Sequence, residues 1–168
     1  MRWRSVQDTS CSIAQTLSVV GERWTLLILR EVFLGASRFD ELRNRLDIAR
    51  NVLAGRLAHL VEHGVLEKAV YHDRPRRYAY RLTERGRDLY PILVALMAWG
   101  DRWLNEGTTP SVSLTHRPCG HATRGQLVCS HCHQPLEPQD TKVRLSARRL
   151  RAFRPVRTSQ TSAPSTHT

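Results

Sequence analysis

Residues 37–83, SRFDELRNRLDIARNVLAGRLAHLVEHGVLEKAVYHDRPRRYAYRLT, decide the fold. Ser37 and Asp40 are placed as an S-x-x-D helix start just before Phe39, Leu42 and Leu46, and the two leucines put one apolar stripe on a short helix. A second helix is predicted from Leu53, Leu57, Leu60 and Val61, which recur at i, i+4, i+7 and i+8 and leave Asn51, Gly55, Ala58 and Glu62 on the far side. His63-Gly64 supplies its stop. Residues 65–71 and 77–82 are β-rich runs separated by His72-Asp73-Arg74-Pro75-Arg76, a loop with a proline and two arginines. Helix, turn, helix and hairpin in that order make a winged helix-turn-helix, an architecture that offers one helix to a DNA groove.

Upstream, Asp8, Thr9 or Ser10 is positioned to cap a helix whose Ile13, Leu17 and Val20 line one side, and Gly21 ends it. Residues 22–34 form a second helix, with Trp24, Leu27, Ile28, Phe33 and Leu34 so dense that most of its circumference is expected to be buried. Downstream, Thr83 is the expected N-cap of a long helix reaching Asn105, with Glu84 in its first turn. Pro91 predicts either a kink or a helix that starts near Tyr90. Leu89, Ile92, Leu93, Leu96, Met97, Trp99 and Trp103 cover more than one face, so this helix is expected to pack on its own domain and on a second subunit. The fold class is therefore mainly α (α+β), with a two-stranded wing and a dimerisation helix over residues 1–107. A small Cys/His module of zinc-ribbon type is expected over 108–140, and a basic, disordered tail over 141–168.

The chain has 168 residues, 40% of them apolar, enough for one packed domain and an appendage. Lys and Arg number 26 against 15 Asp and Glu, a net charge of +11 that points to a polyanionic partner or an acidic membrane surface. The excess is uneven, with 17 basic and 13 acidic residues up to Gly107 and 9 and 2 beyond it. The first fifteen residues hold no signal-peptide core. The most apolar run, residues 89–99, is well short of the ~20 residues a membrane span needs. A cytoplasmic, non-membrane protein is expected. In such a setting the four cysteines favour reduced thiols or a metal over disulfides.

Residues 11–100 resemble the HxlR family of bacterial transcriptional regulators, which are MarR-like. The likeness rests on Cys11, Gly21-x-x-Trp24, Arg38-Phe39-x-x-Leu42, Val52-Leu53-x-x-Arg56-Leu57-x-x-Leu60, Gly64-Val65, Tyr78-x-Tyr80-x-Leu82-Thr83-x-x-Gly86 and Trp99-Gly100. It implies a dimeric DNA-binding regulator, acting as repressor or activator. Two positions depart from the family pattern. Cys11 is followed by Ser12 where relatives carry proline, and Ala49 stands where relatives place a Ser or Thr cap, leaving Asn51 or a backbone contact to substitute.

The predicted DNA contacts follow from the face of the second helix that the leucines leave free. Arg50, Asn51, Ala54, Gly55 and Ala58 face outward, with Arg56 and His59 at the border. Asn reads adenine bidentately, Arg reads guanine, and small residues let the backbone approach the bases. Arg56 suits an intradomain ion pair equally well. Arg38 is placed at the start of the first helix of the motif, and Arg74, Arg76 and Arg77 on the wing loop, where they reach phosphates or a minor groove. Cys119, His121, Cys129 and Cys132 give C-x-H followed by C-x-x-C, a donor set for structural zinc, with His116 and His133 as reserve ligands. Cys11, at a helix start, is either a small buried residue or a thiol that senses oxidants or electrophiles, the role the family likeness implies. The basic run 142–157 either adds phosphate contacts or only solubilises.

No nucleophile, base and orienting acid fall in a recognisable catalytic pattern, so an enzyme is not expected. The leading reading is a homodimer that binds double-stranded DNA at an inverted repeat. Its competitor is an interaction or thiol-sensing module whose zinc ribbon contacts a protein partner, with only non-specific DNA binding.

Overall fold

The computed structural model describes residues 11–104 and 112–144. The caps proposed at Asp8, Thr9 and Ser10, the helix end at Asn105, most of the linker 107–113 and the basic tail past Arg144 lie outside the described residues. Helix α1 (Ser12–Val20) starts from the extended Cys11 and stops where the Gly21 N–H donates to the Leu17 carbonyl at 2.8 Å. Helix α2 (Arg23–Phe33) is capped by Glu22, whose carboxylate accepts the Trp24 N–H at 3.0 Å. Ile28 and Leu29 are fully buried at the centre of the core, but Leu34 is half exposed, so the helix is less enclosed than its apolar density predicts.

Helix α3 (Phe39–Leu46) corrects the S-x-x-D reading. Arg38, not Ser37, is the N-cap and no side chain caps it; instead Glu41 reaches back to accept the Ser37 N–H at 3.0 Å. The cause is the wing. The Ser37 carbonyl accepts the Tyr80 N–H at 2.7 Å and Arg38 bridges Ala79, which holds this segment as a third, strand-like rung beside the hairpin. Asp47 then turns the chain in the left-handed region (φ 47), a conformation Asp tolerates better than most residues. Buried Ile48 anchors the turn, and α4 (Arg50–Glu62) follows from Ala49 with no side-chain cap, so Asn51 does not take that role.

The wing is longer than its sequence suggested. Strands β1 (Leu66–Asp73) and β2 (Arg76–Leu82) pair antiparallel from Leu66↔Leu82 to Asp73↔Arg76, with an irregularity between Val70 and His72. Only Arg74 and Pro75 remain as loop, so Arg76 and Arg77 are strand residues rather than loop residues. Thr83 does cap a helix, accepting the Gly86 N–H at 3.0 Å while its hydroxyl donates to the Gly64 carbonyl at 2.6 Å. That helix is only α5 (Glu84–Arg87), and α6 (Tyr90–Trp103) starts anew with Pro91 in its first turn, the second of the two outcomes that proline allowed. Gly86 is buried against the Val65 carbonyl, where a side chain would collide with backbone.

One core joins these elements. Val20, Ile28, Leu29, Leu42, Ile48, Leu53, Leu57, Leu60, Val65, Leu66 and Tyr80 are buried together, with Leu89 at the N-cap of α6 and Leu93 within it packed against them. Buried Glu31 pairs with Arg30 at 2.7 Å and with Arg45 at 3.5 Å, tying α2 to α3. Among the described residues no helix is long and apolar enough to cross a membrane. Among the described residues the C-terminal module holds β3 (Leu114–His116), β4 (His121–Thr123), an isolated bridge between Val128 and Pro135 and a 3₁₀ turn at Pro138–Asp140. It rests on α6: Gly125 lies so close to Val94 that a β-carbon there would strike the valine side chain.

Candidate nucleic-acid interface

The α4 helix has two faces. Leu53, Leu57 and Leu60 are fully buried, and the packing they make fixes the helix so that Arg50, Asn51, Ala54, Gly55 and Ala58 are exposed. This is the division that the leucine spacing predicted. At its N-terminal end, the Arg50 guanidinium lies over the Phe39 ring at 5.3 Å, and the Arg38 guanidinium over the Tyr71 ring at 4.6 Å. Stacking of this kind holds a long side chain extended without removing its charge.

Arg38, Arg50, Arg76 and Arg77 line one open concavity, together with the wing residues Tyr71 and Tyr78. It lies between the starts of α3 and α4 and the wing. Four of the predicted contacts are thus brought together although they come from three parts of the chain. Glu41 also borders the concavity, but its charge is held by the Ser37 N–H and by Arg45 at 2.7 Å. The Ser37 backbone donor keeps the Glu41 carboxyl below its ordinary pKa, with Arg45 adding to the effect.

Arg74, Asn51 and Arg56 stand outside that concavity. Arg74 is exposed at the wing tip, Asn51 is exposed on α4, and Arg56 is half-buried. None of the ion pairs found among the described residues involves Arg56. His59 is turned inward: its Nε2 is 3.1 Å from the Val19 carbonyl and its ring stacks on His63 at 4.1 Å, so it braces α1 against α4. Tyr71 and Tyr78, exposed on the wing, were not among the sequence-predicted contacts; the Lys68 ammonium sits 5.7 Å from the Tyr78 ring. Their only signal in the sequence was the tyrosine repeat at the wing.

The predicted zinc ligands do not converge. Among the described residues, the one group of three or more potential metal donors within 4.8 Å of one another is His59, Glu62 and His63. Cys119 sits with His116, whose Nδ1 is 3.3 Å from its sulfur, and Cys129 forms a separate turn with Cys132. Backbone N–H groups of Cys132 and His131, then the Cys132 side chain, hold the Cys129 thiol below its ordinary pKa. Cys11 is half-buried at the N-cap of α1.

Outside the groove, α6 carries a second surface. Ile92, Leu96, Trp99 and Trp103 recur at i, i+4, i+7 and i+11 and are 40%, 49%, 58% and 55% exposed. Ile13 and Leu17 of α1 are 72% and 43% exposed. Trp99 and Trp103 also line an open cleft with Val112, Leu114 and Ala122 of the C-terminal module, and among the described residues these stripes remain largely uncovered.

Comparison with known proteins agrees with this architecture. The family model described as HxlR-like helix-turn-helix matches residues 19–108. The HTH-type transcriptional regulator Rv3095 of Mycobacterium tuberculosis is 46% identical over 125 residues, 74% of this chain and 79% of the relative. The regulator sll1512 of Synechocystis is 34% identical over 106 residues, 62% of this chain and 78% of its own. Among solved structures, the candidate transcription factor PA1607 superposes with a TM-score of 0.75 at 37% identity, covering 84% of this chain and 99% of its own. The redox regulator HypR in its reduced form matches with a TM-score of 0.52 at 32% identity, over 58% of this chain and all of its own. The first three are named as regulators or factors of transcription, HypR as a redox regulator, and none as an enzyme.

Proposed function

Because the chain belongs to the HxlR-like helix-turn-helix family of transcriptional regulators, we propose that it binds DNA sequence-specifically as a homodimer on an inverted-repeat operator. The observation that carries this reading is the convergence of Arg38, Arg50, Arg76 and Arg77 beside the exposed face of α4. In the proposed complex α4 enters the major groove, Asn51 and Arg50 contact base edges, and Ala54, Gly55 and Ala58 allow close approach. Arg74, Arg76 and Arg77 of the wing contact phosphates or the minor groove, and Arg38 a phosphate. Arg56 joins the contacts from the edge of the helix. His59 is left out, because its ring is spent on the Val19 carbonyl.

The dimer reading rests on the α6 stripe. Two such stripes facing each other at near-heptad spacing bury four large apolar side chains per chain, and the paired α4 helices then meet grooves about 34 Å apart. Cys11 supports a secondary, thiol-sensing reading. It lies at the N-cap of α1, two residues before the exposed Ile13, so oxidation there would act beside the apolar stripe of that helix. The related HypR is named a redox regulator.

Binding assays with two variants test the contacts. Asn51→Ala is expected to lose about 1–3 kcal/mol of discrimination between operator and unrelated DNA. Arg76→Ala is expected to weaken binding to all sequences alike, and to reduce the slope of log K against log salt by about 0.9. An Arg76→Ala protein with unchanged affinity at low salt would remove the wing from the interface.

A further inference from the structure

The C-terminal module repeats one turn. His116-Arg117-Pro118-Cys119-Gly120 and Cys129-Ser130-His131-Cys132-His133 each carry two donor side chains three residues apart. The Gly120 N–H donates to the His116 carbonyl at 2.7 Å, and the His133 N–H to the Cys129 carbonyl at 2.9 Å, the same closure in both. In both, the residue after the second donor is left-handed, Gly120 at φ 72 and His133 at φ 59.

The details match metal chemistry at each turn. His116 Nδ1 lies 3.3 Å from Cys119 Sγ, close to the edge of about 3.5 Å that tetrahedral zinc bonds to one nitrogen and one sulfur subtend. In the second turn the His131 N–H points at Cys129 Sγ from 3.5 Å, a donor that suits a thiolate. The equivalent position in the first turn is Pro118, which has no N–H. There the first donor is an imidazole, and no thiolate needs one.

We infer that the module binds one zinc ion through His116, Cys119, Cys129 and Cys132, a structural site of three sulfurs and one nitrogen. His121, which the C-x-H spacing favoured, is not a ligand. It follows the Gly120 turn onto β4, outside the donor positions that the two turns share. His133 is not a ligand either, since it occupies the left-handed position that Gly120 fills in the other turn. No described residue of the module is buried. With so little core, metal binding supplies its folding free energy, and the ion draws the two turns together.

Zinc content, competition against a chromophoric chelator and cobalt(II) spectra of the full-length protein test this assignment. One zinc per chain is expected in freshly purified protein. His116→Ala should lower zinc affinity by more than the ~10–100-fold that loss of an outer-shell partner costs, whereas His121→Ala should leave it unchanged. His116→Cys should keep the metal, and its cobalt form should gain sulfur-to-metal charge-transfer intensity from a fourth thiolate. Zinc lost in His121→Ala but kept in His116→Ala would overturn the ligand assignment. Less than one zinc per chain in the wild type would overturn the site itself, and zinc that disappears in His63→Ala would place it in the α4 cluster instead.

Discussion

The helical domain and the C-terminal module solve the same problem by different means. Residues 11–104 enclose twelve apolar side chains in one cluster, from Val20 to Tyr80, with α6 packed on the outside. Residues 112–144 bury none, and Leu127 and Val143 stand about three-quarters exposed. Hydrophobic burial of about 25 cal/mol per Å² stabilises the first and is nearly absent from the second. The contrast teaches where sequence patterning carries information. In the domain, apolar spacing specifies structure. In the module, under the zinc assignment proposed above, donor spacing takes that part, because no described residue there is buried.

Truncation mutants would break or confirm this contrast most visibly. Leu57→Ala is expected to cost about 2–5 kcal/mol in chemical denaturation, since the side chain is fully buried. Leu127→Ala is expected to fall within about 0.5 kcal/mol. Comparable losses at the two positions would mean that the module has a core of its own. A smaller effect, about 1 kcal/mol, is expected for Thr83→Ala, which removes both the cap of α5 and the hydroxyl bond to Gly64 that joins wing to helix. Thermal melts showing no change would make that junction redundant.

The smallest effect concerns Glu41. Its carboxyl pKa is lowered in the folded chain, so its contribution is complete above the unfolded-state pKa and is lost as pH falls through the folded value. Wild type and Glu41→Gln should therefore differ in stability at neutral pH and converge on the acid side. The gap should be small because the carboxylate faces solvent. A gap that widens as pH falls would contradict the assignment.

Much of the domain is legible in the sequence because its leucines sit at helical spacing. The spacing of Leu53, Leu57 and Leu60 alone orients α4, and with it the exposed face holding Arg50 and Asn51. What failed to show was anything that depends on a distant partner. Ser37 looks like a cap locally but is claimed by Tyr80, forty-three positions later in the sequence. His59 looks like a border residue on a helix wheel but bonds to Val19 of α1. The two-residue wing turn was hidden because His72, Asp73 and Arg76 carry no strand signature of their own. The cation–π pairs of Arg38 with Tyr71 and Arg50 with Phe39 are likewise tertiary facts. In the module, C-x-H spacing points to His121, and the proposed choice of His116 arises only when the two backbone turns are compared.

Selection of binding sites from a random-sequence DNA library by the purified protein addresses the central claim most directly. A dimer reading successive major grooves through α4 should enrich an inverted repeat whose half-sites lie about 10–10.5 base pairs apart, centre to centre. Recovery of no common sequence, with retention that simply falls as salt rises, would contradict it.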